Sequence, residues 1–449
     1  MRGPLPAFLL ALLLSACAQT ATLQGEAAKS SEAAAVGNKA PAVTAAFPAL
    51  EAEAVLSKGF QAIFDFSLDL IEPSSFALEG MRGLGAIDPN LVALLEKDRF
   101  QVRLGAETVF SAPLPSSQDA RAWARLAIEG VIAARSKSDP LRGTEAEAVY
   151  QAIFDAALTR FDLHSRYAGA EETKRLKALR EGQGVDGAVL PATVGMALSD
   201  QLAMIQIVGF NSRTAEAFET KLKEAQMLYG RQWKGLILDL RGNPGGLLDQ
   251  AVRSADLLLG PGRIVATRGR HPQSSHNHDA TDGEFAQGVP IVVLVDGRTA
   301  SGGEILAAAL QDRGRAVVVG TTTFGKGLVQ TVIDLPNGGE IDLSWSRFHA
   351  PSGYALQGLG VLPNICTSSG TAGRGLSGLV SGEASLANAF AQWRTVGTGN
   401  LAARRTLRAQ CPAEDGASEA EEVARRLLAD RALFTKALAP TGAVAGLKP

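Results

Sequence analysis

The sequence contains few cysteines and few histidines, and it carries little net charge. It has three cysteines and five histidines in 449 residues, and its formal net charge is −2. Because the net charge is close to zero, the chain lacks the excess of basic residues that is typical of nucleic-acid-binding proteins. No nucleic-acid partner is therefore expected. The glycine-rich turn at 242–246 lacks the Gly-Lys-Ser/Thr ending of a phosphate-binding loop, which excludes that class of nucleotide site.

The few histidines leave little room for metal chemistry or a Ser-His-Asp triad. His271, His276 and His278 lie together in the polar segment 270–279, which we interpret as a surface loop without regular structure. A metal site in that loop is the alternative interpretation. His349 stands where a strand ends and is interpreted as structural. No metal and no other cofactor is expected.

The first residues are typical of an export signal. They carry one positive charge, a short apolar stretch and small residues before Cys17, and the stretch is too short to remain as a membrane-spanning helix. Leu14-Ser-Ala-Cys17 resembles a bacterial lipobox, which implies a signal peptide over 1–16 and lipidation of Cys17. Ala18 implies an outer-membrane anchor facing the periplasm. An ordinary signal peptide with a chance cysteine is the alternative, and export follows from either.

The two remaining cysteines support the same periplasmic location. In an oxidising periplasm, Cys366 and Cys411 can form one disulfide that ties the C-terminal segment to the preceding part of the chain. Two free buried thiols are the alternative. Residues 17–46 have almost no bulky side chains, so they cannot bury enough surface to fold and are predicted to be a disordered tether.

The segment Thr299-Ala-Ser301-Gly-Gly-Glu304 stands before an apolar run and allows two interpretations. Ser-x-x-Glu fits a capping box, in which Ser301 and Glu304 each satisfy a backbone N–H at a helix start. In the second interpretation Ser301 is a nucleophile at the positive end of the helix. Free N–H groups there can stabilise a developing oxyanion.

A second segment, Phe324-Gly-Lys326-Gly327, bears on that choice. A lysine in a turn is usually a solvated charge, but this one opens an apolar strand in which Lys326 and Gln330 share a face. Burial among apolar groups favours the neutral amine that a general base requires, and Gln330 can hydrogen-bond that amine. The pair therefore predicts that Lys326 takes the proton of Ser301.

With these motifs in place, the stretch from about residue 202 to 365 resembles the catalytic core of the carboxyl-terminal processing proteases, the tail-specific serine peptidases of family S41. The segments that carry the resemblance are Leu238-Asp-Leu-Arg-Gly-Asn-Pro-Gly-Gly-Leu-Leu-Asp-Gln-Ala-Val252, Thr299-Ala-Ser-Gly-Gly-Glu-Ile305, Leu310-Gln-Asp312, Phe324-Gly-Lys-Gly327, Val329-Gln330, Ala350-Pro-Ser-Gly353 and Gln357-Gly358.

The resemblance implies Ser301 as nucleophile, Lys326 as general base and Gln330 as the residue that orients the lysine. It also implies an oxyanion hole built from backbone N–H groups, which would be those of Gly245 or Gly246 and of Gly302. Asp239 leads into that turn and is interpreted as ordering it. The implied fold is an α/β core of ββα units similar to crotonase and ClpP, and the implied reaction is peptide-bond hydrolysis through an acyl-enzyme.

The sequence departs from the family pattern in the place of the PDZ domain, which normally precedes the core and reads substrate tails. Leu163-His-Ser-Arg-Tyr167 resembles the piece before that domain, and the first core strand follows at Met204, which leaves no room for a PDZ domain. Substrate would then be presented by an adaptor or activator protein, or by the N-terminal helices. Gly302-Gly303 and Asn364 also differ from the family's usual residues.

The predicted organisation is a signal peptide over 1–16, a tether over 17–46 and a mainly helical domain over 47–185 that contains a strand at Arg99–Leu104. A protease core over 186–365 follows, with strands near 203–208, 235–240, 263–268, 290–296, 316–320 and 328–334, and with helices near 214–228, 246–259 and 302–313. A Gly/Ser-rich stretch and a helical tail complete it over 366–449, with charges at 419–426 on a solvated helix face. The helical domain is expected either to cover the active site or to form a dimer interface, so a homo-oligomer is open.

Two functions follow from the residues. The first is a lipid-anchored serine endopeptidase with a Ser301/Lys326 dyad, acting on protein or peptide substrates of the cell envelope. The second is a binding or scaffold lipoprotein that keeps the protease fold with weak or absent catalysis. The presence of Ser301, Lys326 and Gln330 together favours the first, since a scaffold has no need of all three.

Overall fold

The chain contains both helices and strands, in keeping with its mixture of helical and strand-like apolar spacing. The computed structural model describes residues 46–116, 119–183, 193–369, 376, 387–416 and 419–439. The predicted signal peptide, Cys17 and the tether up to residue 45 lie outside these residues, as does most of the Gly/Ser-rich stretch. The α/β fold class is confirmed.

The described residues from 46 to 183 are mainly helical, as their spacing of apolar residues predicts. Its helices are α1 (Ala49–Phe66), α2 (Pro73–Arg82), α3 (Ala120–Lys137), α4 (Asp139–Arg142), α5 (Ala146–Phe161) and α6 (Ala170–Arg180). An antiparallel sheet of β1 (Leu91–Glu96), β2 (Arg99–Leu104) and β3 (Glu107–Pro113) packs beside them. The strand predicted at Arg99–Leu104 is β2. Aromatic side chains such as Phe60, Phe76 and Trp123 fill the core of this region.

A six-stranded, mostly parallel sheet forms the centre of the following region. Its order is β14-β11-β10-β7-β6-β5, and its strands are β5 (Val194–Ser199), β6 (Leu202–Ile207), β7 (Gly235–Asp239), β10 (Ile291–Val295), β11 (Ala316–Gly320) and β14 (Ile365–Cys366). The residues of β7, β10 and β11 are all buried, as in parallel sheets covered on both faces.

Helices cover both faces of this sheet. On one face lie α7 (Thr214–Tyr229), α8 (Leu248–Asp256) and α9 (Gly302–Asp312), which share an apolar core with Leu236 and Val293. On the other face, Ile237 and Val292 pack against α12 (Glu419–Ala429) and α13 (Arg431–Leu438). The charged run at 419–426 is therefore one side of an amphipathic helix whose apolar side covers the sheet.

A second sheet has the order β12-β13-β8-β9. Its strands are β8 (Gly262–Arg268), β9 (His276–Ala280), β12 (Leu328–Asp334) and β13 (Glu340–His349). The short strand β4 (Arg166–Ala168) pairs antiparallel with β13, so a segment assigned to the helical domain contributes to a sheet of the core. The two carboxylate oxygens of the buried Glu340 accept from the guanidinium of Arg180 on α6, at 2.8 and 2.7 Å.

The prediction that 270–279 lacks regular structure is wrong for most of the segment, in which Pro272–Ser274 form a short 3-10 helix. Residues 276–280 form β9, which pairs antiparallel with β8. The polar side chains of this strand hid the pattern, because period-two alternation is read from apolar residues. The strand β5 was not predicted either, and of β13 only the end at His349 was predicted.

The C-terminal segment begins with α10 (Ala387–Thr395) and α11 (Leu401–Arg408). A disulfide joins Cys366 at the end of β14 to Cys411, three residues after α11, with the two Cα atoms 5.8 Å apart. In the described part of the chain, no helix is long and apolar enough to cross a membrane.

Candidate active site

Ser301 lies in the connection between β10 and α9, immediately before the first residue of the helix. Its φ of 49° falls in the left-handed region, which non-glycine residues adopt rarely and mostly where surrounding contacts hold them there. The loop before it is organised by the buried Asp296, whose Oδ1 accepts from the backbone N–H groups of Gly242 and Thr299 at 2.9 and 3.0 Å. Ser301 is thereby held in a strained and well-supported turn.

Glu304, three residues after Ser301 in the first turn of α9, is fully buried and accepts four hydrogen bonds. Its Oε2 accepts from the backbone N–H groups of Ser301 and Lys326, each at 2.9 Å. Its Oε1 accepts from the Thr323 hydroxyl at 2.5 Å and the Gly325 N–H at 2.7 Å. The bond to Ser301 is the carboxylate half of the predicted capping box. The other three join the helix start to the loop that carries Lys326.

Burial raises the pKa of Glu304, and the four hydrogen bonds act in the opposite direction. Desolvation disfavours the charged carboxylate, whereas N–H and O–H donors stabilise it. All four hydrogen-bond partners of Glu304 donate to its oxygens, and a carboxylate can accept on both oxygens.

Lys326 lies two residues before β12 and is half-buried. Its Nζ is 3.4 Å from Gln330 Oε1, so the predicted lysine–glutamine contact is present. The pairing of β12 with β13 shifts register between Val329 and Gln330, a bulge of the kind that re-aims a side chain. Gln330 Nε2 in turn donates to the backbone carbonyl of His164 at 2.6 Å, which fixes the amide with its oxygen toward the lysine.

His164 is a residue of this site that the sequence analysis missed. It lies between α5 and β4, and its Nε2 is 3.5 Å from Gln357 Nε2. Gln357 Oε1 accepts from the N–H of Gly327, next to Lys326. In the sequence, Leu163-His-Ser-Arg-Tyr167 stands out only through the family resemblance, and no spacing relates it to residues more than 160 positions later.

The glycine turn that ends β7 lies directly against Ser301. A Cβ built on Gly245 would be 2.6 Å from Ser301 Cβ, and Gly245 has a φ of 100°, so this position requires glycine. The N–H of Gly245 donates to Asn243 Oδ1 at 2.7 Å. Asn243 is fully buried, and its Nδ2 donates to the Ile207 carbonyl at 2.8 Å. The structure thus places Gly245 at the serine with its N–H already engaged.

The remaining polar residues singled out in the sequence have structural contacts. Asp239 is buried and accepts a two-point contact from Arg241 at 2.9 and 2.7 Å, which orders the start of the glycine turn. His349 ends β13, and its Nδ1 is 3.2 Å from the Gly353 carbonyl. Among the described residues, no group of three or more His, Cys, Asp or Glu side chains is arranged to hold a metal ion.

Comparison with known proteins assigns a class to this α/β core with a serine at a helix start. Residues 201–367 match the model of Peptidase family S41. The chain therefore carries an S41 peptidase domain, and its resemblance to the carboxyl-terminal processing proteases is confirmed. Ser301, Lys326, Gln330 and the glycine turn all lie within the matched residues.

Individual relatives cover parts of this chain. The "Carboxy-terminal-processing protease" of Bartonella bacilliformis is 41% identical over 165 residues, covering 36% of this chain and 38% of that protein. The "Carboxyl-terminal-processing protease" of Picosynechococcus sp. is 32% identical over 249 residues, covering 50% of this chain and 58% of that protein. The chain thus spans less than two thirds of the length of these relatives.

One solved structure is also similar in sequence to part of this chain. The photosystem II D1 C-terminal processing protease is 30% identical to this chain, with 40% of this chain and 48% of that one covered and a TM-score of 0.35.

Proposed function

We propose that this protein is a serine endopeptidase of the carboxyl-terminal processing type, with Ser301 as nucleophile and Lys326 as general base. The observation that carries the proposal is the shared contact to Glu304, because one carboxylate oxygen accepts from the backbones of both residues. Gln330, held by the His164 carbonyl, contacts the amine of the lysine. The S41 match over these residues supports the same assignment.

The reaction begins when Lys326 Nζ takes the proton of the Ser301 hydroxyl and Oγ attacks the carbonyl carbon of the peptide bond. The negative oxygen that develops accepts hydrogen bonds from backbone N–H groups. We assign this role to Gly246 and Gly302, because the Gly245 N–H already donates to Asn243. The closeness of the turn to the serine supports this assignment, because a Cβ built on Gly245 would be 2.6 Å from Ser301 Cβ.

Collapse of the tetrahedral intermediate breaks the C–N bond, and the Lys326 ammonium gives its proton to the leaving amine. Water then attacks the Ser301 ester while Lys326 accepts a proton from it. When the ester bond breaks, Lys326 gives this proton to Oγ, which releases the second product and restores the Ser301 hydroxyl and the neutral lysine. In this scheme Gln330 and Glu304 position the reacting groups without exchanging protons with the substrate.

The first residues of the sequence support a proposal for the site of action. We propose that Cys17 carries a lipid anchor and that the protein acts on envelope proteins or peptides from the outer membrane, facing the periplasm. An adaptor protein or the N-terminal helices would present substrate in place of a PDZ domain, and assembly into a homo-oligomer is part of the same proposal. Incorporation of labelled palmitate by the wild type, and its loss in Cys17→Ser, tests the anchor; equal labelling would refute it.

A serine-directed acylating probe tests the chemistry at Ser301. The purified chain starting after Cys17 should gain the mass of one acyl group on the peptide that contains Ser301. Ser301→Ala should gain none, and Lys326→Ala should react about a hundredfold or more slowly. Equal labelling of the wild type and Ser301→Ala would show that the nucleophile lies elsewhere. Absence of any labelling would favour the scaffold interpretation.

A further inference from the structure

The loop that carries Lys326 is supported from the C-terminal segment, by a guanidinium to which the sequence assigns no role. Arg408 is the last residue of α11, and its Nη1 donates to two backbone carbonyls, those of Thr323 at 2.9 Å and Leu359 at 2.6 Å. Thr323 begins the segment 323–327, which we call the lysine loop. Leu359 lies in the segment 355–360, which we call the support loop.

The two loops pack backbone against backbone. Gly358 N–H donates to the Gly325 carbonyl at 2.8 Å, and Gly327 N–H donates to Gln357 Oε1 at the same distance. A Cβ built on Gly327 would be 2.0 Å from the Gln357 nitrogen, so a side chain there would collide with the support loop. Any movement of the support loop is therefore transmitted to the residues on either side of Lys326.

Arg408 lies where the two loops meet. A Cβ built on Gly360 would be 3.1 Å from Arg408 Nη1, and one built on Gly325 would be 3.4 Å from the same atom. Thr323, whose carbonyl Arg408 contacts, donates its hydroxyl to Glu304, which accepts from Ser301 and Lys326. Burial lowers the pKa of Arg408, and the negative charge of Glu304 acts in the opposite direction.

The helix that presents Arg408 is itself firmly held. Arg404, one turn earlier, is buried and donates to the support-loop carbonyls of Gln357 and Ala355. Leu407 packs into the main apolar core. Cys411, three residues after Arg408, is joined by its disulfide to Cys366 at the end of β14. The helix position of Arg408 is thus held by Arg404 and Leu407 before it and by the disulfide of Cys411 after it.

We propose that Arg408 is a positioning residue for the proposed dyad, holding the lysine loop so that Lys326 faces Ser301. It acts through Thr323 and the support loop, and it does not touch substrate. The inference rests on the proposed function for its kinetic consequence, but the structural link from Arg408 to the lysine loop can be measured without any catalysis.

The test compares Arg408→Ala with Arg405→Ala, a matched control on the same helix whose side chain is exposed. Two quantities are measured: kcat and KM on a peptide substrate, and amide hydrogen exchange of residues 323–330 by mass spectrometry. Arg408→Ala should lower kcat about 10- to 100-fold, because small misplacements of a catalytic group have effects of that size, and leave KM within about twofold. Exchange over 323–330 should be about tenfold faster. Millimolar methylguanidine should restore part of both.

Wild-type kcat and wild-type exchange in Arg408→Ala would overturn the proposal, as would equal changes in Arg405→Ala. If Arg408→Ala does not fold, Arg408→Met, which keeps most of the aliphatic stem, is measured in the same two assays. Unfolding of both variants would show a purely structural role and would also overturn it. If the wild type cleaves no peptide, the proposed function fails, whereas the exchange comparison still decides whether Arg408 holds the loop.

Discussion

Ser301 and Lys326 donate their backbone N–H groups to one and the same oxygen atom, Oε2 of Glu304, at 2.9 Å each. The two residues are 25 positions apart, and α9 and β11 separate them along the chain. A single buried carboxylate therefore sets the separation of the two backbones. The relative position of the proposed nucleophile and the proposed base therefore depends on Glu304.

Replacing Glu304 by glutamine tests this coupling. The amide nitrogen of the new side chain would face N–H donors and leave them without an acceptor in a buried site, which costs about 1 to 3 kcal/mol of stability. The dyad would lose its common anchor, so kcat should fall about 10- to 100-fold. Urea unfolding and peptide hydrolysis measure the two effects. Unchanged kcat in a folded Glu304→Gln protein would contradict the positioning role.

The pH dependence of stability should also change in Glu304→Gln. Because burial raises the pKa of Glu304 above its ordinary 4.5, the folded protein keeps the proton to a higher pH than the unfolded chain does. The contribution of Glu304 to the free energy of unfolding is therefore fully present below pH 4.5. It is lost as the pH rises through the pKa of Glu304 in the folded protein, by at most about 1.4 kcal/mol per pH unit. Glu304→Gln should lack this component, and Glu216→Gln, at an exposed position, should retain it.

Gln330→Glu tests the contact that orients the lysine. A carboxylate at the position of Gln330 Oε1, 3.4 Å from Lys326 Nζ, would stabilise the ammonium form that cannot act as a base. We expect the pH needed for half-maximal kcat/KM to rise by about one unit or more. Gln330→Ala should instead lower kcat without moving the profile in that direction. Identical pH profiles for the wild type and Gln330→Glu would refute the contact.

Gly245→Ala tests the approach of the glycine turn to the serine. The added Cβ would stand 2.6 Å from Ser301 Cβ, so the turn must shift and the proposed oxyanion donors with it. Activity should fall about a hundredfold or more, the loss seen when one oxyanion donor is removed. Gly353→Ala is the matched control, because Gly353 has a similar φ of 95° with no atom within 4 Å of the new Cβ. Similar losses in both variants would attribute the effect to backbone strain alone.

The disulfide between Cys366 and Cys411 closes a loop with a sequence separation of 45. By the loop-closure argument its removal destabilises the protein by about 4 kcal/mol. Thermal unfolding of the purified protein with and without a reducing agent measures this. A double Cys366→Ser, Cys411→Ser variant should unfold at the temperature of the reduced wild type and be insensitive to the reductant. Equal unfolding temperatures for oxidised and reduced wild type would refute a stabilising role.

Local patterns were enough to predict most of the core. The runs that became β7, β10 and β11 are continuous and apolar, and the apolar helical spacing of α7 and α9 is read directly from the chain. Of β13 only the end at His349 was predicted, although Ile341, Leu343 and Phe348 are buried in this strand, because its polar and charged residues interrupt the alternation. The strand β9 was missed for the same reason.

Local motifs and a family resemblance identify the proposed dyad residues and Gln330 in the sequence. They do not identify the residues that hold these side chains in place. Glu304 was seen as half of a capping box, and its contacts with Thr323, Gly325 and Lys326 form only in the folded chain. The carbonyl of His164 reaches Gln330 across 166 positions, and Arg408 reaches Thr323 across 85. No periodicity relates residues so far apart, so such contacts can be found only in three dimensions.

The most direct test of the central claim is proteolysis of an unstructured casein-like substrate by the purified chain beginning after Cys17, beside Ser301→Ala and Lys326→Ala. The account predicts cleavage by the wild type and none above background by either variant, with both variants folded to within a few degrees of the wild-type melting temperature. Cleavage by Ser301→Ala or Lys326→Ala at the wild-type rate would contradict a Ser301/Lys326 peptidase.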